Sequence, residues 1–222
     1  MSQLLVGVLS DTHGRLPDDA YAELADCDFI IHAGDICGPG ILLQLGELAP
    51  VCAVLGNNDY PEYGESVKPV AAPRIGGVRL LVTHTPTDLR AILSGRTSLL
   101  KAGDPVPRIA IHGHTHVPEL LRGSAASPAD VILCPGSVSR PRGGSKRQLA
   151  KIVIENGAVR NIRFVELVHD ICKFGNRKWR CNQISHCIYP WCQYLIVMNN
   201  IWKYKAYISF FHMVKLLSDT KL

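Results

Sequence analysis

Five times between residues 4 and 116 an aliphatic run stops abruptly at side chains of the kind that bind metal ions. Residues 4–9 lead into Ser10-Asp11-Thr12-His13-Gly14, residues 29–33 into Gly34-Asp35, and residues 51–55 into Gly56-Asn57-Asn58-Asp59. Residues 78–83 end in His84, and residues 109–112 end in Gly113-His114-Thr115-His116. Each run is short, apolar and closed by polar or turn-forming residues, which reads as a buried strand. A single Asp-x-His after a strand is usually a turn residue beside a satisfied polar side chain. Recurrence makes the pattern informative.

Between the runs, Pro17-Asp18-Asp19 opens a helix over Ala20 to Ala25, with proline and acids in its first turn. Pro39-Gly40 opens another through Leu45. Strands alternating with helices predict an α/β sheet. Ligands of such sheets bind beyond the carboxyl ends of the strands. All five donor groups sit at that end, so one pocket can collect them. An oxygen donor beside imidazole nitrogens suits a divalent metal such as Mn, Zn, Fe or Ni.

After His116 the pattern changes. Short strands are predicted at 119–122, 131–134, 148–155 and 159–165, with turns at 124–130 and at Asn156-Gly157. They read as a meander continuing into a second sheet. Among them lies Pro135-Gly136-Ser137, followed by Arg140, Arg142, Lys146 and Arg147. These four cations read as a solvated loop, with a substrate-phosphate contact by one of them as the alternative.

The hydrophobic share of 47% over 222 residues favours a globular body. Charge divides the chain. Residues 167–222 carry eight Lys or Arg against two Asp, whereas 1–166 hold sixteen basic against seventeen acidic residues. Nothing about a near-neutral body suggests a general nucleic-acid binder. We therefore expect a domain over 1–166 and a basic extension over 167–222. No basic stretch precedes the first apolar run, so no signal peptide is expected. Eight cysteines without paired spacing point to a reducing cytoplasm.

The order and spacing of Asp11-x-His13, Gly34-Asp35, Gly56-Asn57-x-Asp59, His84 and Gly113-His114-x-His116 resemble the calcineurin-like metallophosphoesterase superfamily. The compact size and the Pro-Gly-Ser loop look like its small bacterial phosphodiesterase branch. The resemblance covers roughly residues 3–166. It implies a four-layer α/β/β/α sandwich of two mixed sheets and two divalent metal ions, manganese first, with Zn, Fe, Ni or Co as alternatives. It makes Asp35 the carboxylate bridging both ions. Asp11, His13 and His116 would complete one site, and Asn57, His84 and His114 the other. It implies a phosphodiesterase that hydrolyses a small phosphodiester or nucleotide through a hydroxide shared by the two ions. The alternatives are a phosphomonoesterase on the same site, or a non-catalytic scaffold like a eukaryotic retromer subunit. A homo-oligomer is compatible with the resemblance.

Two positions depart from the family pattern. Many of its phosphatases carry a histidine after the metal-binding Asn, where it acts on the leaving group; Asn58 stands there. Without that acid, poor leaving groups depart slowly. Cys134 replaces the usual Asn before Pro-Gly-Ser, which bears on the phosphate loop and not on the metal donors. Asn57, Asn58 and Asp59 are the expected catalytic group, with Asp59 orienting Asn57 or a histidine. His32 and His112, inside strands, are expected to be core or supporting imidazoles.

The extension holds Trp179, Trp191, Trp202 and four of the eight cysteines. Residues 181–202 carry no formal charge, yet Pro190, His186 and several amides interrupt them, so no transmembrane helix is predicted. Lacking a Cys-x-x-Cys pair, it is not a zinc ribbon. Residues 201–217 would suit a basic helix on a membrane or partner. The simpler expectation is a segment without an evolved fold, its partner unknown.

Overall fold

The computed structural model describes residues 3–97, 106–123 and 128–168, with the backbone of 171–174 and 177–180. The chain divides after His169 into two units. The first begins as an alternation of strand and helix: β1 (Gln3–Leu9), α1 (Asp18–Leu24), β2 (Phe29–His32), α2 (Pro39–Gly46) and β3 (Val51–Ala53). β1 pairs parallel with β2, and β2 parallel with β3. After a kinked 3-10 segment, Pro61–Ser66, come β4 (Val70–Ala71), β5 (Arg74–Ile75), β6 (Val78–Thr83), α3 (Pro86–Leu93) and β7 (Ile109–Ile111). β8 (Glu119–Arg122), β9 (Val131–Cys134), β10 (Gln148–Glu155) and β11 (Ala158–Glu166) complete this unit.

Two mixed sheets result. One runs β11-β10-β1-β2-β3; the other runs β4-β6-β7-β9-β8, with β5 also paired to β6. Their facing sides bury Val6, Val8 and Ile31 of the first against Val78, Leu80, Val82, Ile109 and Ile111 of the second. Strand side chains alternate between faces. The opposite face of β1 and β2 therefore presents Leu9 and Ile30 to Leu24, Ile41 and Leu45 of α1 and α2. On the far side, Leu81 and Ala110 meet Leu89 and Ile92 of α3. The layers are helix, sheet, sheet, helix, as expected. Burial on both faces explains why the strands read as unbroken apolar runs.

The predicted meander is corrected. β8 and β9 form an antiparallel pair in the second sheet, but β10 and β11 return to the first, where β10 pairs antiparallel with β1. β1 has two sides to pair, and the second comes from the chain's end. The crossing segment, 135–147, thereby passes the carboxyl ends of the strands. α3 was not anticipated, although its start is legible: the Thr85 hydroxyl accepts from the Asp88 N–H at 3.0 Å, and Pro86 follows the cap.

The second unit, described only by backbone, contains β12 (Ile171–Phe174) paired antiparallel with β13 (Arg177–Arg180). The Gly175-Asn176 between them is a hairpin signature in sequence. The uncharged stretch 181–202, the helix expected over 201–217 and part of the turn expected over 124–130 lie outside the described residues. Among the described residues, no helix is long and apolar enough to cross a membrane.

Candidate metal centre

The loops after β1, β2, β3, β6 and β7 meet at one edge. Backbone bonds zip them together: the N–H of Asp11 donates to Gly34 O at 3.0 Å, that of His13 to Asp35 O at 2.9 Å, and that of Gly113 to His84 O at 2.9 Å. Among the described residues, seven non-glycines have left-handed φ, and six lie here: Asp11 (55°), His13 (46°), Asp35 (54°), Cys37 (56°), His114 (67°) and His116 (59°). They form three pairs spaced two residues apart, one pair per loop. Asp and His tolerate this region better than most side chains, but each instance still costs on the order of 1–3 kcal/mol. The zipped backbone holds them there, and the left-handed turns aim alternate side chains at a common point.

Glycine beside the donors serves close approach. A Cβ on Gly56 would lie 2.2 Å from both the N and Oδ1 of Asp35. A Cβ on Gly34, which itself has φ of +89°, would meet the His84 ring at 2.6 Å.

All seven expected donors converge. Asp11, His13, Asp35 and His116 each offer an atom within 4.8 Å of the others'. His116 Nε2 lies 3.1 Å from Asp11 Oδ1 and 3.2 Å from His13 Nε2. On the other side, Asn57 Oδ1 lies 3.0 Å from His84 Nε2 and 2.8 Å from His114 Nδ1. Asp35 stands between the groups. Its Oδ2 is 3.7 Å from His13 Nε2, and its Oδ1 is 3.4 Å from His84 Nε2. Asp11, Asp35, His84 and His116 are buried, whereas Asn57, Asn58 and His114 are exposed. The former make a floor and the latter a mouth.

Buried without counter-charge, the two carboxylates behave differently. Burial raises the proton affinity of Asp11, more than its Ser10 bond and nearby histidines lower it. Burial acts the same way on Asp35, but bonds from His84 and from the backbone and side chain of Asn58 hold its carboxyl well below the usual range. Burial lowers the proton affinity of His13. It opposes charge on His84 too, but the bonds to Asp35 and Ala33 outweigh it and raise that imidazole.

The arrangement fits cations. His116 Nδ1 donates to Arg140 O, and His84 Nδ1 donates to Ala33 O at 2.8 Å. With Nδ1 engaged in this way, Nε2 is the nitrogen each ring has left to face a cation. Asp11 Oδ1 is buried and has no hydrogen-bond donor, although His116 Nε2 is beside it. Lone pairs crowded on a buried, donorless carboxylate oxygen are stabilised by a positive ion. Nitrogen donors mixed with carboxylate suit a transition metal over magnesium.

The remaining predictions sort as follows. Asn58 donates to Asp35 from its backbone at 2.9 Å and from its side chain at 2.6 Å. Asp59, expected to orient Asn57 or a histidine, has its hydrogen-bond partners among the described residues on the loop backbone and at Tyr63. Its carboxylate accepts from the N–H groups of Gly56, Ile36 and Cys37 and from the Tyr63 hydroxyl, so it buckles the β2 and β3 loops together. His32 and His112 are buried as expected. His32 Nε2 meets Thr12 Oγ1 at 3.0 Å, and His112 Nε2 meets Glu119 at 3.2 Å.

Ser10, Thr12 and Ser139 were not singled out in the sequence, and Ser137 only as part of the Pro-Gly-Ser loop. The Ser10 hydroxyl reaches Asp11 Oδ2 at 2.6 Å and Gly136 O at 2.8 Å. Ser137 and Ser139 hydroxyls both donate to Asp11 O, at 2.8 and 2.9 Å. The Pro-Gly-Ser loop thus turns its serine inward to fix a donor's backbone. Ser10 and Thr12 flank Asp11, and that adjacency was the available signal.

The family model of the calcineurin-like phosphoesterase superfamily domain matches residues 4–157. A probable metallophosphoesterase from Methanothermobacter thermautotrophicus is 34% identical over 145 residues, covering 63% of this chain and 80% of that protein. A second, from Methanocaldococcus jannaschii, is 33% identical over 147 residues, covering 63% and 70%. A Thermotoga maritima protein solved by NMR superposes with a TM-score of 0.55 at 26% identity, covering 74% of this chain and 99% of its own. Vacuolar protein sorting 29 from Cryptosporidium parvum shares the fold, with a TM-score of 0.53 at 16% identity, covering 74% and 97%. The chain belongs to the calcineurin-like phosphoesterase superfamily. Family and donor set together define a metal-dependent phosphoester hydrolase.

Proposed function

We propose that the protein is a cytoplasmic phosphodiesterase that hydrolyses a small phosphodiester or nucleotide and holds two divalent cations, with manganese the first choice. The placement of Asp35, one oxygen toward each donor group, carries this reading. Asp11, His13 and His116 would hold one cation, Asn57, His84 and His114 the other, and Asp35 both. Divalent ions in such a site polarise phosphoryl oxygens and bring the pKa of water toward neutrality. The chain's own residues do the rest. The exposed Asn57, Asn58 and His114 leave the mouth open to substrate. Asn58 carries an amide where an acid would protonate a leaving alkoxide, so the site suits leaving groups that depart as stable anions. Cys27, Cys37, Cys52 and Cys134 are free thiols, in keeping with a reducing compartment.

The rival reading is a binding scaffold of the vacuolar protein sorting 29 type. The convergence of seven donors, four of them buried, favours the enzyme. Metal content and turnover of the purified protein decide between them, with Asp35→Asn as the variant. We expect bound manganese and hydrolysis of bis(p-nitrophenyl) phosphate in the wild type, and at least about a hundredfold loss of rate in the variant. Unchanged hydrolysis in Asp35→Asn removes the site. The ratio of diester to monoester turnover separates a phosphodiesterase from a phosphomonoesterase, and a panel of phosphorylated metabolites identifies the substrate.

A further inference from the structure

The four cations that follow Pro135-Gly136-Ser137 are not equivalent. Arg147 pairs with Asp19 at 2.7 Å, both side chains only 13% exposed, and Lys146 pairs with Glu166 at 2.7 Å. Those two are committed to the scaffold. Arg140 and Arg142 are exposed and have no ion-pair partner among the described residues. Only Arg140 is anchored to the donors at both backbone groups. Its N–H donates to Ser137 Oγ at 2.8 Å, and Ser137 in turn donates to Asp11 O. Its carbonyl accepts from the metal-facing His116 ring. The backbone is fixed beside the site while the guanidinium stays free. Its charge is felt at His13 and Cys37.

We propose that Arg140 is a substrate-binding residue that selects phosphate esters bearing a second anionic group beside the scissile phosphate. The inference rests on the phosphoesterase reading above. Charge balance supports it. The donor set holds two carboxylates, Asp11 and Asp35. Two divalent ions and a guanidinium leave a positive excess that a singly charged diester does not cancel. A diphosphate-type ester cancels more of it, and a guanidinium fork accepts two oxygens of one phosphate.

The test compares AMP and ADP as ligands of the manganese-loaded protein at fixed free manganese. Binding is read by calorimetry and by competitive inhibition of bis(p-nitrophenyl) phosphate hydrolysis. Wild type should bind ADP about tenfold tighter than AMP, the size of one charge-assisted contact. In Arg140→Gln the preference should shrink to under about threefold, with AMP affinity and manganese content nearly unchanged. Arg140→Lys, which keeps the charge without the fork, should retain an intermediate preference and covers a Gln variant that fails to fold. Arg142→Gln should keep the full preference. An active wild type that does not prefer ADP, or an Arg140→Gln variant that still does, overturns this proposal alone. A wild type without turnover or bound manganese overturns the underlying reading, and this proposal with it.

Discussion

Asn58 holds Asp35 twice, through its backbone N–H to one carboxylate oxygen and its side-chain amide to the other. The amide therefore supports the carboxylate that separates the two donor groups, and in the proposed mechanism an acid at this position would assist departure of the product. An Asn58→His variant should gain that acid. Its rate on an alkyl phosphodiester, relative to the p-nitrophenyl diester, should rise at least about tenfold. The measurement is the ratio of the two kcat/KM values; an unchanged ratio means residue 58 does not face the leaving group.

Gly56 leaves no room for a methyl group against Asp35. Gly56→Ala should displace Asp35 or the β3 loop, at a cost of roughly 2–3 kcal/mol in stability. Urea unfolding reports the stability, and manganese titration should show affinity at least about tenfold weaker. Full affinity with unchanged stability would mean the loops are looser than described.

Much of this centre was legible before any coordinates, and for one reason. Strand ends are readable from apolar runs, and in an α/β fold the carboxyl ends share an edge, so Asp11, Asp35, Asn57, His84 and His114 were bound to meet. The division of strands between sheets was not legible. β6 and β10 both bury one face between the sheets and turn the other toward helices or the adjoining chain, so periodicity carries no sheet label. Nor was the buckling role of Asp59, because backbone N–H partners leave no trace in side-chain identity. α3 was missed despite its Thr85 cap because eight residues make little more than two turns in which to read a period.

His32 is wholly buried, and burial depresses its pKa to about 4 from an ordinary 6.5. Between those values the unfolded chain binds more protons than the native one, so native stability rises with pH from about 4 to about 6.5 and is complete above. The full effect is on the order of 3 kcal/mol. Unfolding free energies from pH 4.5 to 7.5 should show a shallower rise in His32→Gln than in wild type. Parallel profiles would contradict a neutral, buried His32.

Leu167 follows β11 and is buried, with its N–H bonded to Arg147 O at 2.8 Å. This packing and this bond lie one residue past the boundary expected at 166. A chain ending at Val168 should keep activity and manganese binding. One ending at Glu166 should be about 2 kcal/mol less stable, the value of a buried leucine. Thermal unfolding of the two truncations checks this; equal midpoints would restore the earlier boundary.

The left-handed pairs at Asp11 and His13, Asp35 and Cys37, and His114 and His116 restrict which substitutions this centre can sample. Asp, Asn and His exchange there with little backbone penalty, whereas a β-branched side chain is excluded at any of the six. Drift in metal preference along this lineage would then run through swaps among those three amino acids. Cys37 already occupies one of these positions with a softer atom, next to His13.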